Sequence, residues 1–539
     1  MNNYINTLNS AIDDTIYKQA QINKYIAFKE SGYEAKSELL NNLYHQSEID
    51  QNLAFAALGD FQVNHEAFKI MMVKDIKKMA LKFCIYIKAN KTLLDTSFNF
   101  FGLTFNSFLP KDKKHPNREA VALSKMQDFK IVSNLMFKIF KQQLELQEIK
   151  RGNVKSYMSE RVFKIMSESK IAADEYLSKQ YIELDDNQEM TLKELQELSK
   201  KNKINELMMI KNYINELTSD GSWACRFITL TNRPEHLPRA FNTDDRTHWD
   251  KKTTPTENAK ELQKGWRNIQ SRANRNDIPL IGLWCREPHK NGGIHQHILV
   301  LTKKEYLVND SIVREMTKNQ TKSRLGLYRK AKKEIVENKK LTLEKMFLQT
   351  FGYTNRSCKI DVLTSNKKSN NVINYITKYI MKTVNVNAYN GTVLDNEQSE
   401  LDKVSFHRSL WNYRAYGIFG FKNNLGLWRF LRKVAHQQEL LTTQIHEDSN
   451  LQKAINMVKN NDYSSFVAFA TNHFEKCFNY SKVENKHGEI TNIKSSISDG
   501  DKTYTFDLKA QLRDISNIDE CIEIDESYLN FKKYKIIQK

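Results

Sequence analysis

Two histidines one residue apart are the first candidates for chemistry in this sequence. His295 and His297 lie in the apolar run IHQHILVLT (294–302), directly behind a glycine pair. This run predicts a β-strand. Alternate side chains of a strand project from the same face, so both imidazoles are expected to point one way and Gln296 the other. Two imidazoles held together on a rigid strand could share one divalent cation.

A carboxylate could complete this predicted metal site. Glu287 ends the preceding apolar run PLIGLWCRE (279–287), and the turn PHKNGG would bring it back opposite the histidines. Two imidazoles and one carboxylate leave open positions on an octahedral ion, so His295, His297 and Glu287 predict a Mg²⁺ or Mn²⁺ site. The same ligands would suit a zinc hydrolase. An isolated His-x-His pair is also common without a metal, and His289 in the turn is expected to be simply exposed.

A second set of chemically active side chains lies in NYITKYIMK, residues 374 to 382. On a helix, Tyr375 and Tyr379 would lie one turn apart on one face, with Lys378 and Lys382 on nearly the same stripe. Tyrosine has an ordinary pKa of about 10, and a neighbouring ammonium favours the phenolate. Beside a metal ion, these side chains predict attack of a tyrosine on a phosphodiester to form a covalent phosphotyrosine.

The tyrosine pattern alone fits a solvated helix with half-buried aromatic residues better than it fits a nucleophile. Its surroundings favour the chemical interpretation. Residues 221–436 contain 39 Lys and Arg against 19 Asp and Glu, whereas the rest of the chain has 44 against 45, so this block carries the whole excess behind the net charge of +19. A concentrated excess of cations favours a polyanionic partner, most simply nucleic acid.

The elements that must position these residues are short β-branched runs separated by segments of helical periodicity. The expected strands are 225–231, 279–287, 294–302 and 358–364, and the expected helices include 256–275, 310–320, 343–352 and 370–383. In chain order they predict an α+β fold with a split β-α-β arrangement, in which an antiparallel sheet is backed by helices.

The predicted organisation has three parts within 539 residues. Residues 1–218 are expected to be mostly helical, with DNA binding or regulation as candidate roles. Residues 219–436 hold the predicted sheet and the chemistry, and residues 437–539 are expected to be helical and then mixed, with no assigned role. The six cysteines form no close pair, which favours a reduced, intracellular compartment, and no signal peptide or membrane span is expected.

The order of the motifs FITLT (227–231), REPHKNGGIHQHIL (286–299) and YITKYIMK (375–382) resembles that of the two-tyrosine HUH endonucleases. The resemblance is strongest to the phage gene A replication proteins, also called rolling-circle replication endonucleases. SLWNYRAYGIFGF (409–421) is similar to the aromatic stretch that follows the family's tyrosine helix. The family often has an Asp-Gly-Thr-Pro turn and an aromatic residue between the histidines. Here these are NGG and Gln296, which points away from the predicted metal.

The resemblance implies an HUH endonuclease domain over residues 219–436. In such an enzyme one tyrosine nicks a strand at an origin, stays on the 5′ phosphate and frees a 3′ hydroxyl, and the second tyrosine later resolves the junction. Tyr375 and Tyr379 would be this pair, in either order, with Lys378 as the phosphate and leaving-group partner and Lys382 as support. A transposase or mobilisation relaxase with the same chemistry, or a non-catalytic origin-binding protein, are the alternatives.

The expected partners are single-stranded or origin DNA, a host helicase and a replication polymerase, in the cytoplasm of a bacterial host. A separate helicase and no nucleotide cofactor are expected because the sequence contains no GxxxxGK[ST] phosphate-binding loop. In residues 410–433 aromatic residues alternate with cations, which suits stacking on single-stranded bases. For Trp411 and Phe419, burial in a packed amphipathic segment is an alternative with at least as much support.

Overall fold

The structure is a computed structural model that describes most of the second half of the chain and part of the first. The described residues are 73–89, 99–100, 103–183, 189–219, 221–237, 249–250, 252–290, 293–363, 395–421, 424–436, 445–474, 478–485, 487–499, 502–506 and 536–538. The predicted tyrosine helix lies outside these residues, together with Tyr375, Lys378, Tyr379 and Lys382.

The chain divides into two compact units. The first consists of residues 1–147 and 481–493, and the second of residues 148–480 and 494–539. The predicted division after residues 218 and 436 stays a prediction. None of the helices in the described ranges is long and apolar enough to cross a membrane.

The first part of the chain is mainly helical. Its elements are α1 (Val73–Ala89), the antiparallel pair β1 (Asn99–Phe100) and β2 (Leu103–Thr104), α2 (Arg118–Met126) and α3 (Phe129–Lys150). Within the first unit, Lys125 Nζ of α2 forms a 2.6 Å ion pair with Glu489, and the Ser124 hydroxyl lies 3.0 Å from His487 Nδ1.

The remaining elements confirm a mixed α+β protein. The helices are α4 (Glu160–Ser178), α5 (Leu192–Leu217), α6 (Pro255–Asn274), α7 (Asp310–Lys318), α8 (Leu325–Glu337), α9 (Leu343–Phe351), α10 (Asp395–Trp411), α11 (Asn424–His436), α12 (Asn450–Lys459) and α13 (Tyr463–His473). The strands are β3 (Gln180–Glu183), β4 (Glu189–Thr191), β5 (Trp223–Thr231), β6 (Ile281–Pro288), β7 (Ile294–Lys303), β8 (Cys358–Val362), β9 (Tyr416–Phe419), β10 (Phe478–Glu484), β11 (Ile490–Ser498), β12 (Thr503–Thr505) and β13 (Ile536–Gln538).

A five-stranded sheet with the order β8-β5-β7-β6-β9 lies at the centre of the second unit. Every neighbouring pair is antiparallel. Strands occur at all four predicted positions. The fifth, β9, forms one edge and lies in the aromatic segment for which the sequence suggests either stacking on single-stranded bases or burial. Its alternation of buried Gly417 and Phe419 with half-buried Tyr416 and Ile418 is the pattern of a strand with one covered face.

One face of this sheet supports a large apolar core. Phe227, Leu283 and Leu299 project from β5, β6 and β7 into a cluster of buried residues that also contains Ile210 of α5 and Trp428 of α11. The cluster continues into α12, α13 and the end of β11. Because side chains alternate along each strand, the residues between these apolar ones face the opposite side of the sheet.

Helices α6 and α9 pack beside the opposite face. Helix α6 begins at Pro255, and its N-cap Thr254 forms a capping box with Glu257. The buried indole of Trp266 stacks with Phe347 of α9 at 5.9 Å and meets Phe419 of β9 edge-on at 4.7 Å between ring centroids. These aromatic contacts join α6 to α9 and to the edge strand.

A buried ion pair joins β5 to the helices that follow β7. Arg226 is 1% exposed, and its Nε donates to Glu344 Oε1 of α9 at 2.7 Å. Its Nη2 donates to Asp310 Oδ1 at 2.8 Å and to the Val308 carbonyl at 3.0 Å. Glu344 Oε2 accepts from the Val308 backbone N–H at 3.0 Å. Each charge is therefore paired and hydrogen-bonded, as burial requires.

Candidate active site

The predicted histidine pair lies on the central strand of the sheet. His295 and His297 project from the same face of β7, and their ring centroids lie 6.5 Å apart with the planes inclined by 13°. On the flanking strands, Thr231 of β5 and Glu287 of β6 are both in register with His295. The sheet thus gives the two imidazoles a fixed spacing and a shared direction.

Two threonines of β5 hold the inner nitrogens of these rings. Thr231 Oγ1 lies 2.8 Å from His295 Nδ1, and Thr229 Oγ1 lies 3.1 Å from His297 Nδ1. In the tautomer that carries its proton on Nδ1, each ring donates to a threonine hydroxyl and turns the lone pair of Nε2 outward. This orientation is the one that a metal-binding histidine requires.

The predicted carboxylate ligand lies beside the second histidine. Glu287 Oε2 is 3.6 Å from His297 Nε2, and both side chains are only partly exposed. Two ligand atoms at about 2.1 Å from one ion lie roughly 3 to 3.6 Å apart, so this pair has suitable spacing. In the described part of the chain, no three His, Cys, Asp or Glu side chains converge closely enough to hold a metal ion. The three-ligand site therefore stays a prediction.

His295 is surrounded by other imidazoles. Its ring centroid lies 4.7 Å from that of His289, which is exposed as the sequence predicts but is also a close neighbour of the site. Burial, with a further contribution from His289 and His297, lowers the pKa of His295 to about 3. The ring is consequently neutral near pH 7, the form that binds a metal.

A segment before the sheet contacts the turn that carries His289. The Tyr157 backbone N–H donates to the Lys290 carbonyl at 2.8 Å, and Tyr157 has a φ of 61°, in the left-handed region. Burial and the nearby carboxylates of Glu287 and Glu400 raise the pKa of Tyr157. A phenol thus lies near the predicted ligand Glu287. The sequence shows no motif around Tyr157 that would have identified it.

The structure unites some of the predicted site residues and leaves others undescribed. His295, His297 and Glu287 lie on adjacent strands as expected. Whether Tyr375 and Tyr379 lie near them stays a prediction. The orienting threonines were not predicted, although the alternation in FITLT places Thr229 and Thr231 on one face with the same period as the histidines.

The aromatic segment after the predicted tyrosine helix is largely buried. Trp411 is 2% exposed and Phe419 is 7% exposed, so the packed alternative applies to both. Tyr413 is also buried, and its hydroxyl lies 3.0 Å from His407 Nδ1. These side chains hold the end of α10 and the edge strand in place.

Comparisons with known proteins agree with the sequence resemblance. The family model of the bacteriophage replication gene A protein (GPA) matches residues 92–387. A "Replication protein" of Haemophilus phage HP1 (strain HP1c1) is 24% identical over 298 residues, which cover 53% of this chain and 34% of that protein. A "Probable replication protein P12" of Pseudoalteromonas phage PM2 is 20% identical over 278 residues, which cover 50% of this chain and 38% of that protein.

These matches cover little more than a third of either relative, although they cover half of this chain. No solved structure matches the chain. The family model alone covers more than half of the sequence, including the three strands that carry Thr231, Glu287 and His295. The chain therefore belongs to the bacteriophage replication gene A protein family.

Proposed function

We propose that this protein nicks single-stranded DNA, or one strand of an origin, by tyrosine transesterification and later rejoins the ends. The observation that carries the proposal is the pair of outward-turned imidazoles, His295 and His297, held at Nδ1 by threonines with Glu287 beside the second ring. The family membership, the concentrated positive charge and the two-tyrosine motif support it.

The order of elements supports the finer fold assignment as well. Strand β5 is followed by α6, the hairpin of β6 and β7, helices α7 to α9, and β8, and the sheet places β7 between β5 and β6. We infer that this is the split β-α-β arrangement of an HUH endonuclease domain, with the histidine strand at its centre.

In the proposed reaction His295, His297 and Glu287 would hold a Mg²⁺ or Mn²⁺ ion, which would supply Lewis-acid polarisation of a phosphate oxygen and so make the phosphorus easier to attack. Thr229 and Thr231 keep the imidazoles in the required tautomer and orientation. The phenolate of Tyr375 or Tyr379 forms a bond to phosphorus, the bond from phosphorus to the 3′ oxygen breaks, and that oxygen takes up a proton to become a free 3′ hydroxyl.

The two lysines would assist the tyrosines. Lys378 would favour the phenolate and neutralise phosphate oxygens, with Lys382 in support. The 5′ phosphate stays on one tyrosine until a 3′ hydroxyl attacks it in the reverse reaction, which rejoins the strand. The second tyrosine would allow a new junction to be cleaved before the first end is released. A host helicase and polymerase would act on the freed end.

Because the origin sequence is unknown, the decisive experiment uses a random library, from which the protein itself selects the sequences that it cleaves and retains as a covalent adduct. A library of single-stranded oligonucleotides with a central random segment, labelled at the 3′ end, is incubated with the protein and Mn²⁺ and then denatured. We expect a labelled band that migrates with the protein and resists denaturant, since the 3′ fragment keeps the 5′ phosphate bonded to tyrosine. The same library labelled at its 5′ end should instead give free labelled fragments.

Variants identify the residues responsible. The adduct should disappear in the double variant Tyr375→Phe, Tyr379→Phe and fall sharply in His297→Ala, whereas Tyr480→Phe and His446→Ala, at exposed positions, should leave it unchanged. Persistence of the adduct in the double tyrosine variant would refute the assignment of the nucleophiles. Binding without any adduct would favour a non-catalytic origin-binding protein, and the cut sites recovered from the library would separate an initiator from a transposase or relaxase.

A further inference from the structure

A cleft of about 410 Å³ lies on the face of the sheet opposite to the histidines. Its walls come from one stripe of α6, from β6, from β9 and from the loop between α10 and β9. The strand residue Arg286 lines it and is in register with Gln296. Because Gln296 alternates with His295 and His297 along β7, the cleft and the predicted metal site share the strand but not the face.

Four cations line this cleft, namely Lys260, Arg267, Arg286 and Arg414. Among the described residues, no carboxylate forms an ion pair with any of the four. Of the two glutamates on α6, Glu257 caps the helix with Thr254 and Glu261 contacts His236. Like charges brought together without a counter-ion repel each other, and an anion bound among them would remove that cost.

Arg286 is the strongest sign that the cleft is built for an anion. It is 4% exposed, its Nε donates to Gln296 Oε1 at 3.0 Å, and its Nη2 donates to Gln263 Oε1 at 2.7 Å. Neutral amides therefore satisfy hydrogen bonds but leave the charge uncompensated. Such a desolvated cation gains most from an anionic partner.

Aromatic surface lies beside these charges. Trp284 and Tyr413 line the cleft, and the Arg286 guanidinium carbon lies 4.5 Å from the centre of the Trp284 ring. The Trp284 indole can lie against β9 only because residue 417 is glycine, since a β-carbon there would lie 2.5 Å from the ring. Only 4% of Trp284 and 7% of Tyr413 is exposed, so these rings form an aromatic wall of the cleft. Such a wall next to cations suits the edge of a nucleobase and its phosphate, and the volume is within the range of small-molecule sites.

We propose that this cleft binds one phosphate-bearing nucleotide of a single-stranded DNA, away from the cleavage site. The chemistry would also suit a free nucleotide, but two observations favour a strand. Lys260 and Arg267 are seven residues apart on α6, hence about 10 Å along its axis, farther than one phosphate extends. Both are exposed at the rim, where a strand could continue. The inference rests on the proposed function, in which the protein acts on single-stranded DNA.

Binding without cleavage tests the cleft. The Tyr375→Phe, Tyr379→Phe protein is titrated in EDTA against a fluorescent single-stranded oligonucleotide at several salt concentrations. Adding the replacements Arg267→Glu and Arg414→Glu, both at exposed positions, should weaken binding about tenfold or more. The plot of log affinity against log salt concentration should become less steep, by about 0.7 for each phosphate that the protein no longer neutralises. The control Arg329→Glu, Lys330→Glu has the same charge change on exposed α8 and should have a much smaller effect.

Photo-crosslinking locates the bound base. An oligonucleotide that contains 5-iodo-deoxyuridine should crosslink to the peptide with Trp284 or the peptide with Tyr413, and a large excess of dAMP should not prevent it. Equal losses of affinity in the cleft and control variants, or crosslinks only elsewhere, would overturn the inference. The inference would also be wrong if dAMP abolished the crosslink at a concentration that leaves the affinity for the oligonucleotide unchanged. That result would assign the cleft to a free nucleotide.

The outcomes also separate this inference from the proposed function. If the cleft variants weaken binding but the protein forms no covalent adduct, the nicking proposal would be wrong and the cleft proposal would stand. If the protein forms the adduct but Arg267→Glu and Arg414→Glu do not change its affinity for the single strand, the cleft proposal would be wrong and the nicking proposal would stand.

Discussion

Thr231 Oγ1 lies 2.8 Å from Nδ1 of His295, so the hydroxyl of one strand fixes the ring of its neighbour. Thr229 and His297 repeat the relationship one pleat further along at 3.1 Å. Both contacts follow from register, because each threonine is directly opposite its histidine in the antiparallel pair of β5 and β7. A regular sheet therefore supplies the second layer of the proposed metal site.

Removing this hydroxyl should weaken metal binding without removing a ligand. In Thr231→Val the His295 ring loses its Nδ1 partner and with it a preferred tautomer and orientation. We expect the affinity for Mn²⁺ to fall about 10- to 100-fold, the usual cost of removing such a partner. Isothermal titration with Mn²⁺ measures the change directly, and yield of the covalent adduct provides a second readout.

Thr302→Val is the matched control for this substitution. Thr302 lies on the histidine strand β7 but on the opposite face, and its buried hydroxyl has no hydrogen-bond partner within the described ranges. The replacement should leave Mn²⁺ affinity unchanged. Equal losses of affinity in the two variants would mean that Thr231 acts only through the stability of the sheet, and the proposed orienting role would be wrong.

The carboxylate should contribute through its charge. Glu287→Gln keeps the size of the side chain but removes the negative charge that lies 3.6 Å from His297 Nε2. Because hard divalent cations prefer carboxylate oxygens, we expect Mn²⁺ affinity and adduct yield both to fall by at least about tenfold. Glu305→Gln, at an exposed position just after the same hairpin, is the control and should behave as the unmodified protein. Unchanged Mn²⁺ affinity in Glu287→Gln would exclude this residue as a ligand.

Local periodicity was enough to predict the strands that carry the proposed site. The alternation in IHQHILVLT placed His295 and His297 on one face, and the turn before it placed Glu287 opposite, as the register shows. The edge strand was not predicted, because Gly417 within an aromatic segment weakens the strand pattern and its pairing depends on distant β6. Long-range pairing of this kind leaves little trace in local sequence.

Polar contacts across the sheet were harder to predict than the strands themselves. The sequence marks Gln296 only as pointing away from the histidines. Its bond to Arg286, and the cleft that Arg286 lines, depend on where α6 packs. A threonine opposite a histidine likewise has meaning only once the register of β5 against β7 is known. Local sequence patterns therefore predict the proposed metal ligands more readily than they predict the residues that orient those ligands.

Filling the space over the Trp284 ring should distort the cleft. In Gly417→Ala the new methyl group would lie 2.5 to 2.7 Å from three atoms of the Trp284 indole, too close for contact. The ring or the edge strand must move, at a cost of about 1 to 3 kcal/mol for an overpacked site. We expect a lower thermal midpoint and weaker binding of the single-stranded oligonucleotide.

Gly426→Ala is the opposite case and serves as its control. Gly426 lies in helix α11, and a β-carbon there would meet nothing within 4 Å. Alanine favours the helix over glycine by about 1 kcal/mol, so this variant should be slightly more stable and bind DNA normally. If Gly417→Ala were as stable as Gly426→Ala, the close approach between β9 and the indole would be incorrect.

The buried ion pair should dominate the stability of the sheet-containing unit. In Glu344→Ala the Arg226 guanidinium keeps only Asp310 as a charged partner among the described residues, and the Val308 backbone N–H loses its acceptor. Removing one partner of a buried pair typically costs about 3 to 5 kcal/mol, because the other charge remains desolvated. Denaturant unfolding, followed by the change in tryptophan fluorescence, measures the loss.

An exposed ion pair provides the comparison. Lys333 and Glu337 lie one turn apart on α8 at 3.8 Å, and more than 60% of each side chain is exposed. Water and salt screen such a pair, so Glu337→Ala should change the free energy of unfolding by less than about 1 kcal/mol. If Glu344→Ala were equally mild, water would have to reach Arg226 and replace the missing carboxylate. Since β5 carries Arg226 on one face and the two threonines on the other, a severe loss should also lower Mn²⁺ affinity.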